Sequence, residues 1–239
     1  MLSPWESRHF HAEPHFAVVG AGIVGLFAAL FHKRANPAHH VLVLERGVYP
    51  SGASVKNAGF ACFGSPSELL ADIQKEGLGI ALARVEMRWQ GLLNLRAELG
   101  DAKIGFQPTG GHEVYRAHDP LYTRVREKFD ALNDSLLPLF KKPVYRWNAD
   151  GPGSFGLAPA LKMATTDLEG AVDTGAMMRT LLQKAQSEGV LVRTSALVKA
   201  MDEKADHVRI QLADDTVIKA GHVLLATNGF TPLLAPELD

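Results

Sequence analysis

Residues 16–31 read FAVVGAGIVGLFAALF. Phe16 to Val19 is a short apolar run suited to a buried strand. Gly20, Gly22 and Gly25 then form GxGxxG, and Ile23, Val24, Phe27, Leu30 and Phe31 follow at helical spacing. The helix is expected to stop before Pro37, whose ring disfavours helical backbone in the residue ahead of it. After the polar connection NPAHH comes Val41-Leu-Val-Leu44, a second wholly apolar strand that ends at Glu45. Strands without polar alternation suit a parallel sheet covered on both faces. The opening is therefore a βαβ unit.

The three glycines have separable roles. The first permits the tight turn, the second lets a pyrophosphate approach the backbone, and the third lets helix and strand pack closely. Phosphates then sit at the helix N-terminus, where free N–H groups and the helix dipole favour anions. Glu45 closes the second strand, where a carboxylate can accept hydrogen bonds from both ribose hydroxyls. It would also repel a 2′-phosphate, which argues against NADP. With strand, helix and terminal acid in place, the fingerprint reads as dinucleotide binding. It does not by itself choose between NAD and FAD.

The chain has 239 residues, 46% hydrophobic and 21% charged, an ordinary globular composition. A chain of this size buries roughly 70–75% of its unfolded surface, so it needs no staples. The net charge of −1, without a run of basic residues, argues against nucleic acid and anionic lipid as partners. Cys62 is the only cysteine, which excludes a disulfide framework and a cysteine-based zinc site. The N-terminus, MLSPWESRHFHAEPHF, lacks the apolar core of a signal peptide. The stretch from Phe16 to Phe31 is too short and too glycine-broken to span a bilayer. These readings point to a soluble, cytoplasmic protein.

Farther along, Ser65-Pro66-Ser67-Glu68 has the pattern of a capping box with proline at the first helical position. A helix is expected from there, broken near Gly77-Leu78-Gly79 and resuming to about Leu99. Ile104–Gln107 and Glu113–Arg116, joined by Pro-Thr-Gly-Gly, read as a hairpin. Residues 120–140 read as a helix with Leu121, Val125, Phe129, Leu132, Leu136 and Leu137 on one face, and 148–158 as a loop. A helix over 174–188, closed by Gly189, leads into VLVR, ALVKAM, HVRIQL, TVIKA and HVLLAT. The expected organisation is a nucleotide-binding domain in two segments, 1–100 and 169–239, around a partial substrate domain at 101–168.

Residues 52–64, GASVKNAGFACFG, are too small-sided for a core and too apolar for a solvated linker. Together with VVGAGIVGLFAAL, VLVLERG and the late VLLATNGF, they resemble the FAD-dependent oxidoreductases of the D-amino-acid oxidase and glycine oxidase type. The resemblance spans essentially the whole chain. It implies an α/β fold: a Rossmann-like FAD-binding domain carrying an inserted α+β substrate domain. It also implies that the small-residue segment runs past the pyrophosphate and the flavin ring. The FAD contacts it assigns are Gly20, Ala21, Gly22, Ile23, Val24, Gly25, Glu45 and Arg46 in the opening unit. Gly52, Ala53, Ser54, Ala58 and Gly59 would offer backbone N–H groups, with Lys56 and Asn57 as side-chain donors to the ring's polar edge. Val198 would lie by the adenine, and Ala226, Thr227 and Gly229 in the ATxG turn beside the cofactor.

Such enzymes continue past the ATxG turn, whereas this chain stops at Pro236-Glu-Leu-Asp239, so it is expected to be truncated. The family's substrate-carboxylate residues tend to lie in that later part, and no catalytic residue is assigned. The activity implied is oxidation of the C–N bond of a small amine or amino acid by hydride transfer to flavin N5, with O₂ or another acceptor taking the electrons. The alternative is an inactive FAD-binding fragment or one half of a two-chain enzyme. An NAD-dependent dehydrogenase fits the first 47 residues but leaves the small-residue stretch and the ATNG turn unexplained.

Of the remaining candidates, Cys62 reads as a small buried filler. His9, His11 and His15 have no acid or cysteine partner in sequence to suggest a metal site, and His39-His40 read as loop residues without chemistry. Trp89, Leu92, Leu93 and Leu95 form a helix packing stripe, and His112, Tyr115 and Arg116 lie on the expected hairpin.

Overall fold

The computed structural model describes residues 3–9, 12–116, 118–158 and 161–238; His11 and the side chain of His9 lie outside what is described. The chain forms two compact units, Met1–Asn57 with Thr174–Asp239, and Ala58–Asp173.

The first unit is built on a four-stranded parallel sheet in the order His222–Leu225, Phe16–Val19, Val41–Leu44, Leu191–Arg193. Val19 lies opposite Leu225 on one side and Leu44 on the other. Ala17, Val19, Leu42 and Leu44 face a core shared with Ala196, Val198, Ile210, Leu212 and Ala220. The latter residues belong to, or flank, an antiparallel meander of Val198–Glu203, Val208–Leu212 and Val217–Ala220. Because side chains alternate along a strand, Val18 turns to the other face, toward the helix Ile23–Ala35. That helix packs on Thr174–Ser187. Burial on both faces is what removed polar alternation from FAVV and VLVL. The helix ends as expected before Pro37, with the Asn36 N–H donating to His32 O.

In the second unit the helices Pro66–Glu76, Leu78–Leu99 and Pro120–Phe140 share one core with the strands. Leu69, Leu70 and Val85 meet Val125, Phe129, Leu132 and Leu136 there. This packing explains why the unit begins at Ala58, not at the expected 101: the 66–99 helices bury their apolar faces against 120–140. Leu137, expected on the buried face, is 38% exposed. Asn133 is buried in that core, where its amide donates to Tyr145 O and accepts from the N–H groups of Val144 and Tyr145.

Three further expectations are corrected. The hairpin over 104–116 does not form: Asp101–Ile104 is a helical turn, and Gly111–Arg116 pairs antiparallel with Leu161–Thr166. Gln107 exchanges both backbone hydrogen bonds with Ala171, at 2.9 Å each. The Pro-Thr-Gly-Gly stretch forms no turn of its own: the Gly110 N–H donates to Glu169 O, and the segment after residue 160 is the partner on both of its sides. The Ser65 hydroxyl makes no capping bond. Glu113 acts instead, accepting from the Ser67 N–H at 3.1 Å and from the Ser67 hydroxyl, while Glu68 pairs with Arg88. Finally, Cys62 is exposed. The strand Phe60–Ala61 alternates about the backbone, so Ala61 and Phe63 are buried while Phe60 and Cys62 face out.

Candidate functional site

The sheet of the first unit fixes the site. A cavity of about 460 Å³ opens at the carboxyl ends of its strands, bounded by Val19-Gly20, Leu44-Glu45 and the Ala226 turn. The chain leaves the Phe16–Val19 strand toward Val41–Leu44 and returns at His222–Leu225 on the opposite side. That reversal of direction is where open parallel sheets leave a crevice for ligands.

Each glycine of the turn stands where a side chain would meet neighbouring atoms. Gly20 sits at φ +109°, and a Cβ there would lie 2.6 Å from Ala226 O. At Gly22 a Cβ would come within 3.1 Å of Ser54 Oγ, and at Gly25 it would meet Gly20 O at 2.0 Å. Gly22 is the N-cap of the Ile23–Ala35 helix, and the first turn carries no acidic residue. The positive end of that dipole is thus left for an anion. Ser54 Oγ accepts from the Ile23 N–H at 3.0 Å, so the Gly52–Ser54 segment is stapled to the helix start.

Glu45 is only 7% exposed. Its Oε2 accepts from the Ala21 N–H and its Oε1 from the Gly47 N–H, each at 3.0 Å. These bonds fix the carboxylate at the cavity wall and leave each oxygen a further lone pair. The Arg46 guanidinium lies 4.2 Å from the centre of the Phe230 ring, a cation–π contact on the same wall. The Ala226 N–H donates to Val19 O at 2.9 Å, holding the ATNG turn against the glycine turn.

Gly20, Gly22, Glu45, Arg46, Gly52, Ala53, Ser54, Val198, Ala226, Thr227 and Gly229 all line this one cavity. Ala21, Ile23 and Gly25 do not reach it: Ala21 and Ile23 act through backbone N–H groups and Gly25 through close packing. Val24 is also outside it and 66% exposed. Lys56 and Asn57 lie off the cavity as well; the Asn57 amide donates to Ala53 O and Ser54 O, both at 3.1 Å, and clamps its own turn. Ala58 and Gly59 belong to the second unit, where Gly59 O accepts from the Val172 N–H. The lining also includes Ala196, Leu197, Phe230, Leu233 and Leu234, which sequence reasoning missed. Phe230 directly follows the ATNG turn and was within reach; Ala196 and Leu197 open the ALVKAM stretch, and Leu233 and Leu234 come from a segment without a local pattern.

Gly20 and Gly22 line the cavity without side chains, the helix N-terminus favours phosphate, and Glu45 presents acceptors for hydroxyls. This donor and acceptor set fits the ADP portion of a dinucleotide such as FAD. The remaining histidines cluster elsewhere: His15 stacks on His39 at 4.6 Å, and His32 Nε2 lies 3.0 Å from His39 Nδ1. Among the described residues no group of three or more His, Cys, Asp or Glu could hold a metal ion, and no helix is long and apolar enough to cross a membrane. In the second unit His112 hydrogen-bonds Thr165 and Thr109, and the Tyr115 hydroxyl donates to Glu113.

A family described as FAD dependent oxidoreductase matches residues 15–239. Glycine oxidase from Geobacillus kaustophilus is similar in structure, with a TM-score of 0.65 at 21% identity over 95% of this chain and 59% of that one. Iminodiacetate oxidase from Chelativorans sp. BNC1 gives 0.67 at 18% identity, over 92% and 57%. L-amino acid deaminase from Proteus vulgaris gives 0.65 at 18% identity, over 95% and 56%. The chain thus spans little more than half the length of these structures. No curated protein matches it in sequence. The chain belongs to the FAD dependent oxidoreductase family, and its mixed α/β architecture with a parallel sheet is that of the family's FAD-binding fold.

Proposed function

We propose that this chain takes part, with FAD, in oxidising the C–N bond of a small amine or amino acid. The observation that carries the reading is the convergence of Gly20, Gly22, Glu45 and the Ala226 turn on one cavity at the sheet's carboxyl edge, in a chain of this family. The glycine turn and the start of the Ile23–Ala35 helix would hold the pyrophosphate, and Glu45 the ribose hydroxyls. Val198 and the Arg46–Phe230 pair would border the adenine. The Gly52–Ser54 segment would carry the chain past the phosphates, with Lys56, exposed just beyond it, as a donor toward the ring.

When bound, FAD would supply the two-electron acceptor for hydride from the carbon bearing the amine, the resulting imine being hydrolysed by water and the electrons passing to O₂ or another acceptor. The chain's part is position and electrostatics: a rigid glycine turn, a fixed carboxylate and a helix dipole, all set before substrate arrives.

The test is to load the purified chain with FAD, remove oxygen and add a panel of amines and amino acids. Bleaching of the flavin band by an amine, with none by the matching alcohol, supports the reading. FAD that binds yet is bleached by no member of the panel overturns the activity and leaves a binding protein.

A further inference from the structure

The second unit contains a cavity of its own, of about 540 Å³. Three carboxylates line it, Glu68, Glu113 and Glu169, together with His112; no described lining residue is Lys or Arg. The carboxylates differ in how their charge is met. Glu68 pairs with Arg88 at 2.9 Å. Glu113 sits at the N-terminal end of the Pro66–Glu76 helix and takes the Ser67 N–H and the hydroxyls of Ser67 and Tyr115. Glu169 has no cation. It is 7% exposed, and its Oε1 accepts from the N–H groups of Phe63 and Gly64, at 2.8 and 3.3 Å.

Glu169 Oε2 receives no hydrogen bond among the described residues. It lies where a Cβ of residue 111 would stand, 2.0 Å from that position, so it reaches the wall beside Gly111 only because residue 111 has no side chain. Oε2 therefore opens onto the cavity, while burial of the rest of the side chain penalises the charged form. Burial and the nearby Glu68 accordingly push the Glu169 carboxyl up from its ordinary value. Both nitrogens of His112 are engaged away from Glu169: Nε2 faces Thr109 O, which can only accept, and Nδ1 faces the Thr165 hydroxyl. Phe155 and Leu157 belong to the apolar part of the lining, beside the polar Ser65, Thr109, Thr166 and Tyr145.

We propose that this cavity binds a primary ammonium group carried on a short apolar chain, with Glu169 Oε2 as the acceptor. The ammonium supplies the missing cation and the apolar chain meets Phe155 and Leu157. A ligand presenting a carboxylate here would find no basic partner. That the bound amine is also the molecule oxidised rests on the function proposed above; the binding itself does not.

The probe is n-butylammonium, titrated without FAD into the 239-residue chain and followed by the backbone amide signals of Gly111 and Glu169. Saturable binding at about millimolar concentration is expected, with butyrate and butan-1-ol weaker by about tenfold or more. Glu169→Gln keeps an acceptor for the Phe63 and Gly64 N–H groups and is expected to weaken butylammonium by about tenfold while leaving FAD binding unchanged. Should that variant not fold, the unmodified chain still decides. Affinity must fall toward acid as Glu169 takes up a proton; Glu68, Glu113 and His112 also face this cavity, and the Cys62 thiol and Tyr145 hydroxyl stay neutral because loss of solvent pushes both upward. Equal binding of butyrate, an unaffected Glu169→Gln, a flat pH profile or no binding at all each overturns the inference. FAD binding retained through such a failure leaves the flavin reading standing; amine binding without FAD binding does the reverse.

Discussion

Replacing Gly25 with alanine should loosen the parallel sheet, against the usual preference of helices for alanine. Gly25 lies in the first turn of the Ile23–Ala35 helix. An added Cβ would stand 2.0 Å from Gly20 O, about 1.4 Å short of ordinary contact, with Val18 Cγ1 at 3.1 Å and Ala226 Cβ at 3.2 Å. The nearest atom is backbone, so no side-chain rotation relieves the clash, and the helix must move off the strand. Overpacking costs typically about 1–3 kcal/mol, and a backbone clash belongs at the upper end. Alanine returns at most about 1 kcal/mol of helix propensity. The net loss is about 2 kcal/mol, which should speed hydrogen exchange at the Val18 and Val43 amides by roughly 30-fold. Gly91→Ala is the matched control, since Gly91 lies within Leu78–Leu99 and a Cβ there meets nothing within 4 Å. Only propensity then acts, and exchange in that helix should slow by about fivefold. Should Gly25→Ala slow exchange as Gly91→Ala does, the close-packing argument for the third glycine is refuted.

Other perturbations probe other parts of the structure. Glu45→Gln must turn an NH₂ toward one of the N–H groups of Ala21 and Gly47 that the carboxylate now accepts, and FAD affinity should drop by about 10- to 100-fold in a fluorescence titration. Asn133→Leu strands the N–H groups of Val144 and Tyr145; unfolding of the second unit should lose about 3 kcal/mol by urea titration. Burial, and then His39, His222 and His15, hold the His32 imidazole below its ordinary value of 6.5. The unfolded chain therefore binds the proton first, and the first unit should lose stability as pH falls from about 6.5 through the depressed folded value. His32→Phe, which keeps a ring against Phe16, should flatten that acid slope; an unchanged slope would assign it to other groups.

The parts of the fold that are written locally were legible in the sequence. FAVV and VLVL announce a doubly covered sheet because no residue in them needs water, and the helix between them is bounded by Gly22 and Asn36-Pro37. The strand stretches after Gly189 could be named in order, but their antiparallel pairing as a meander comes from the fold. Pairings across long separations were not legible. Gly111–Arg116 meets Leu161–Thr166 some 50 residues later, and no local pattern distinguishes that partner from the nearer Ile104–Gln107. Glu113 replacing Glu68 as the helix-capping acid is another case, since a cap from a distant strand leaves no mark at the helix start. At the site, Gly20 and Gly22, read from their spacing, both line the cavity. Leu197, Leu233 and Leu234 were not read from spacing, because an apolar wall is assembled only by the fold. The run from Gly52 to Gly64 reads as one segment in sequence, yet its residues are divided between two units at Asn57.

The most direct measurement is a titration of the purified chain with FAD, read by the visible flavin spectrum and by calorimetry, with NADP⁺ as competitor. The account predicts one FAD per chain, a perturbed flavin spectrum, and no displacement by NADP⁺, whose 2′-phosphate meets the Glu45 carboxylate. A folded chain that leaves the flavin spectrum untouched at saturating protein, or that prefers NADP⁺, would contradict it.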